Sequence, residues 1–113
     1  YWPYALGFDG AGNLYFSDYV NNRIRRITPQ GIISTVAGNG RDGFSGIPGV
    51  ATQAALNYPF SIHVDPDGTI LIADTASFRA LEVSPSGSIR VVAGTGRQVA
   101  SPDGLPALSA VLN

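Results

Sequence analysis

His63 is the chain's only histidine and the one side chain whose unperturbed charge change falls near neutral pH. A lone histidine on an inner strand ordinarily packs or hydrogen-bonds. Its sharper chemistry is metal ligation, if copies of the chain gather round an axis and three His63 imidazoles converge on Zn²⁺ or another cation. Asp18 with Arg23, and Asp74 with Arg79, each bracket a four-residue gap. A hairpin would set each couple face to face, and because both recur at equivalent places they read as structural ion pairs rather than as a catalytic dyad. Asp9 and Asp65 sit before turn residues. Turn chemistry accounts for them, with a carboxylate ring holding Ca²⁺ or water at one mouth as the alternative. Trp2, Tyr4, Tyr58 and Phe60 flank Pro3 and Pro59; packing is their ordinary use, and stacking on sugars is the ligand-binding alternative. Arg25, Arg26 and Arg90 read as residues of solvated faces that could meet acidic peptides or RNA.

Other chemistries are not written into the sequence. It shows no nucleophile elbow, phosphate loop, zinc-protease motif or paired catalytic carboxylates, so no catalytic residue and no cofactor is expected. The Gly-x-Gly of VAGNGR and VAGTGR follows a strand pattern without opening a long helix, which makes it a poor phosphate site. The absence of Cys removes disulfides and thiolate metal sites, and leaves the compartment open. A formal net charge of −1 with 13% charged residues gives no electrostatic pull toward nucleic acid or an anionic membrane surface. No apolar run approaches the ~20 residues that cross a bilayer. The chain opens YWPY, without Met or a basic-then-apolar leader, as a mature piece or fragment would.

The elements that must position these residues come from a repeat. A shift of 56 lays WPYALGFDGAGNLYFSDYVNNRIRRITPQGIISTVAGNGR over YPFSIHVDPDGTILIADTASFRALEVSPSGSIRVVAGTGR without a gap, and the register holds to the end, with 18 of 56 positions identical. Two units follow, 1–57 and 58–113, and a fixed period of this length means an array. Within each unit, residues 4–8 and 60–64, 14–17 and 70–73, 23–28 and 79–84, and 32–37 and 88–93 read as four antiparallel strands joined by turns rich in Gly, Pro and Asp. LIAD and TVAG are apolar on both faces, so both faces of each sheet must be covered. After the fourth strand come some 20 residues rich in Gly and Pro, ending in VATQAALN or PALSAVLN, where Ala and Leu at helical spacing predict one or two turns of helix.

P-x-x-[LI]-x-[FV]-D, G-[NT]-[LI]-[YL]-[FI]-[SA]-D, N-N-R-I-R in the first unit and V-A-G-x-G-R recur in order. Together they resemble the NHL-repeat family over essentially the whole chain. The resemblance implies an all-β fold, a β-propeller of four-stranded blades, usually six, whose flat faces bind proteins, peptides or RNA. The second unit departs from the pattern, with Phe78 where the first has Asn22, and GRQVASPDGLPA in place of GRDGFSGIPGVA.

Two blades hide one interface and leave two sheet faces bare. At on the order of 25 cal/mol per Å² over several hundred Å² each, that forfeits roughly 10–20 kcal/mol. The chain is therefore expected to partner itself, head to tail, most simply as a cyclic homotrimer of six blades. The functional expectation is a non-catalytic binding scaffold that forms a ring, with protein or peptide ligands on a propeller face and no nucleic acid or membrane partner. A carbohydrate- or metal-binding ring is the alternative, and an enzyme whose site forms only at the threefold axis comes third.

Overall fold

The computed structural model describes residues 6–74 and 79–94, apart from the side chains of Tyr19 and Phe60. Among the described residues there are two antiparallel sheets. The first runs in order through β1 (Leu6–Phe8), β2 (Leu14–Asp18), β3 (Arg23–Ile27) and β4 (Ile33–Ala37). The second contains β6 (Pro59–Val64), β7 (Ile70–Asp74), β8 (Arg79–Val83) and β9 (Ser88–Ala93), with a short β5 (Gly49–Val50) on the outer side of β9. The turns after β1, β3, β6 and β8 each place a glycine in the left-handed region: Gly12, Gly31, Gly68 and Gly87. That conformation costs glycine nothing and would strain any other residue.

The two sheets repeat in detail. Leu6 opposes Phe16 as Ile62 opposes Ile72, Ile27 opposes Ile33 as Val83 opposes Ile89, and both break register between β3's Ile24 and Arg25 or their counterparts Ala80 and Leu81. Burial, however, runs in opposite phase. In β2 the buried residues are Tyr15 and Ser17, whereas in β7 they are Ile70, Ile72 and Asp74. Successive strand residues point to opposite faces, so the first blade turns one face inward and the second blade turns the other. Between them lies a core of Tyr15, Ile24, Ala37, Leu56, Ile70, Ile72, Leu81, Val83 and Ile89.

The junction is tight near the inner strands. A Cβ on Gly7 would come within 2.8 Å of Val64 Cγ2, which explains why glycine stands where the second unit has His63. Gly10 N donates to Pro66 O at 2.8 Å, tying the first turn of one blade to that of the next.

The linker differs from expectation. In place of a turn of α-helix in VATQAALN, residues Gly49–Val50 form a strand and Ala51–Gln53 a single 3₁₀ turn. Val50 is extended, and Gly38 N donates to Ala51 O while Ala51 N donates to Gly87 O, so the backbone here serves two neighbouring blades instead of its own helix. The second linker, Trp2, Tyr4 and Phe78 lie outside the described residues. No helix among the described residues is long and apolar enough to cross a membrane.

Candidate functional site

The junction opens at one rim into a cleft of about 390 Å³, walled by β2, β3 and β4 of the first blade and by the β6–β7 and β8–β9 turns of the second. At its head stands Asp9. Its Oδ1 accepts from the amides of Ala11 and Asn13, both at 3.0 Å, and its Oδ2 accepts from Asn13 Nδ2 and Tyr15 Oη, both at 2.8 Å. Burial pushes this carboxyl's pKa up, but the four hydrogen bonds outweigh it and hold the value at about 2. Burial and the bond to Asp9 push the Tyr15 hydroxyl the other way, above its usual range. Tyr15 therefore stays protonated and donating beside a permanent carboxylate.

Arg26 lines the same cleft from β3, its Nε sealed from solvent without an acceptor. Across from it, Asp67 in the β6–β7 turn accepts from Thr69 N at 2.9 Å, and that backbone bond, with the Thr69 hydroxyl, lowers the carboxyl's pKa. Thr35, Thr52, Ser84 and Ser86 add hydroxyls, while Ile70, Val83 and Pro85 give the cleft an apolar side.

Residues singled out from sequence are placed as follows. Asp18 opposes Arg23 in register, yet no ion pair closes between them: both Asp18 oxygens accept from Asn21 Nδ2 at 3.0 Å, and Arg23 Nη2 donates to Asn39 O at 3.5 Å. The amide three residues along the same loop lies closer than the guanidinium across the hairpin. Asp74 opposes Arg79; the Asp74 carboxylate is fully buried and accepts from Asn57 N at 2.9 Å, and the Arg79 guanidinium lies 3.8 Å above the Phe44 ring. His63 is exposed on β6 and donates through Nε2 to Asp65 Oδ1 at 3.0 Å. Among the described residues of one chain, no three His, Cys, Asp or Glu side chains gather to hold a metal ion; convergence of three His63 rings is a matter of neighbouring copies. Arg90 pairs with Glu82 at 2.9 Å on the outer face of the second blade. Tyr58 is exposed and left-handed at φ 52°, and its amide donates to Asn22 Oδ1 at 2.9 Å; Trp2, Tyr4 and the Phe60 ring lie outside the described residues.

Sequence reasoning places Arg26 on a solvated face, and so misses its meeting with Tyr15. The signal available was the break in the repeat, because Asn13, Tyr15 and Arg26 stand opposite Thr69, Leu71 and Glu82 in the second unit.

No family model matches the chain. It is similar to mouse teneurin-3, 36% identical across 71% of this chain, and to human teneurin-4, 38% identical across 66%. The chain spans about 3% of the length of these curated relatives. Among solved structures it is similar to a protein of unknown function from Bacteroides thetaiotaomicron, with a TM-score of 0.78 and 26% identity, covering 96% of this chain and 27% of that one. The virginiamycin B lyase of Staphylococcus aureus is similar at a TM-score of 0.58 and 15% identity, over 90% of this chain and 32% of the lyase. Both neighbours are propeller-like, and with the repeated antiparallel sheets they establish the chain as all-β, of the β-propeller fold.

Proposed function

We propose that this chain is a non-catalytic binding scaffold of the NHL-repeat type, whose two blades close a ring with further copies of the chain, three copies giving six blades. The observation that carries the reading is the opposite burial phase of the two sheets. The bare face of the first blade presents Leu6, Phe8 and Ile33, which are 61%, 64% and 50% exposed. Their counterparts one period on, Ile62, Val64 and Ile89, belong to the face that the second blade packs against the first. The bare face of the second blade presents His63, Leu71, Ala73 and Glu82, the counterparts of Gly7, Tyr15, Ser17 and Arg26 on the first blade's inward side. Each unpartnered face is thus the repeat equivalent of one half of the junction already made, which fits a second copy docked head to tail.

Analytical ultracentrifugation at micromolar concentration tests the proposal. A species of three times the 11.8 kDa chain mass is expected. A particle of one chain mass with a native β-sheet circular dichroism spectrum would overturn it.

A further inference from the structure

We infer that the cleft between the two blades of one chain is a binding site for a neutral, hydroxyl-rich ligand, a saccharide unit, independent of ring closure. Its walls come from a single chain, and its volume falls within the range of about 300–1,000 Å³ typical of small-ligand sites.

Three observations carry the inference. The first is divergence from the repeat. A carboxylate that served only its turn would be built alike in both units, as the glycines are; instead Asp9 is fixed by Asn13 and Tyr15, whereas its counterpart Asp65 is joined by His63. The junction between copies would set Leu71 and Glu82 where the intrachain cleft has Tyr15 and Arg26, so the specialised cleft occurs once per chain. The second is the unsatisfied donor. Arg26 Nε is sealed from solvent with no acceptor, a cost that a ligand oxygen reached by a small shift of the guanidinium relieves. The third is the balance of charge and polarity. Asp9 and Asp67 together outnumber Arg26, which disfavours an anion. A hydroxyl, by contrast, both accepts and donates, and so suits a lining that mixes the Arg26 donor with the exposed Asp67 carboxylate and the Thr52 and Ser86 hydroxyls, while Val83 and Pro85 give apolar surface for ring C–H groups.

The test is saturation-transfer NMR and calorimetric titration of the full chain with glucose, galactose, mannose, fucose and N-acetylglucosamine at millimolar concentration, with sodium acetate and sodium sulfate as anionic probes. At least one sugar is expected to bind, with affinity lowered about tenfold by Arg26→Leu, the loss of one hydrogen bond to a charged group. Thr52→Val, an exposed change outside the core, is expected to weaken the same sugar without altering the circular dichroism spectrum. Failure of all five sugars, sugar binding indifferent to both substitutions, or Arg26-dependent binding of the anions alone overturns the inference. Particle mass is read separately, so loss of ring closure and loss of the site are distinguishable.

Discussion

At the scale of single residues, the chain depends on polar side chains that complete backbone geometry. Asp9 is the fullest case, since its two oxygens hold the β1–β2 turn and the Tyr15 hydroxyl together. Asp9→Ala leaves the buried Tyr15 donor without its acceptor and is expected to destabilise the chain by about 1–2 kcal/mol in urea denaturation at pH 7. The pH dependence has a definite sign. The folded pKa of about 2 lies below the ordinary 3.8, so the carboxylate's contribution is complete above pH 3.8 and is lost as pH falls toward 2. The deficit of the Asp9→Ala protein relative to the parent should therefore shrink over that window. Asn22 is a second case: it is left-handed at φ 54°, buried, and accepts from the Tyr58 amide of the next blade. Asn22→Leu removes that acceptor and strains the backbone, and a loss of roughly 2 kcal/mol is expected in the same assay. Little of this was legible beforehand, because a hydrogen bond across 36 positions leaves no local pattern; N-N-R shows as a motif without showing what Asn22 grips.

At the scale of elements the sequence speaks clearly. Short runs of β-branched, aromatic and other apolar residues between glycine turns define the strands of both sheets, since a preference for extended backbone and a left-handed turn glycine each leave a local signature. What stays hidden is β5, because two residues are too few to alternate, and their partner, β9, lies 38 positions away at Val50 and Ser88. The helical spacing of Ala and Leu in VATQAALN misleads for a related reason: Ala51, Ala54, Ala55 and Leu56 are buried by the blades on either side, so their spacing records a packed linker. Gly38 marks where that linker crosses. At φ 91°, a Cβ there would lie 2.2 Å from Asn22 O, so Gly38→Ala is expected to destabilise by roughly 3 kcal/mol, combining left-handed strain with a backbone clash. Gly31, equally left-handed but open to solvent, should lose only about 1–2 kcal/mol on the same change, and thermal melts of the two variants measure the difference.

For the whole molecule, the decisive property is that its two bare faces differ from each other. A head-to-tail contact has two unlike halves, and a mixing experiment exploits this. Phe8→Glu spoils only the first blade's face and Leu71→Glu only the second's. Each variant alone should sediment as one chain, because every junction needs both halves, whereas an equimolar mixture should yield a one-to-one dimer and nothing larger. A mixture that stays at one chain mass, or single variants that still form rings, would contradict head-to-tail packing. That two blades pack face to face within the chain was readable from the repeat, but which face turns inward in each blade was not, since both are apolar enough to be either.

The strand β5 runs ahead of the sheet it completes. During synthesis Gly49 and Val50 leave the ribosome before β6 to β9, so the second blade's outer edge finds its partner waiting as soon as β9 emerges. The first unit thus supplies the strand that borders the second unit's sheet. Among the described residues the first blade receives no such strand, so its β4 edge is the border that another unit's linker would have to finish.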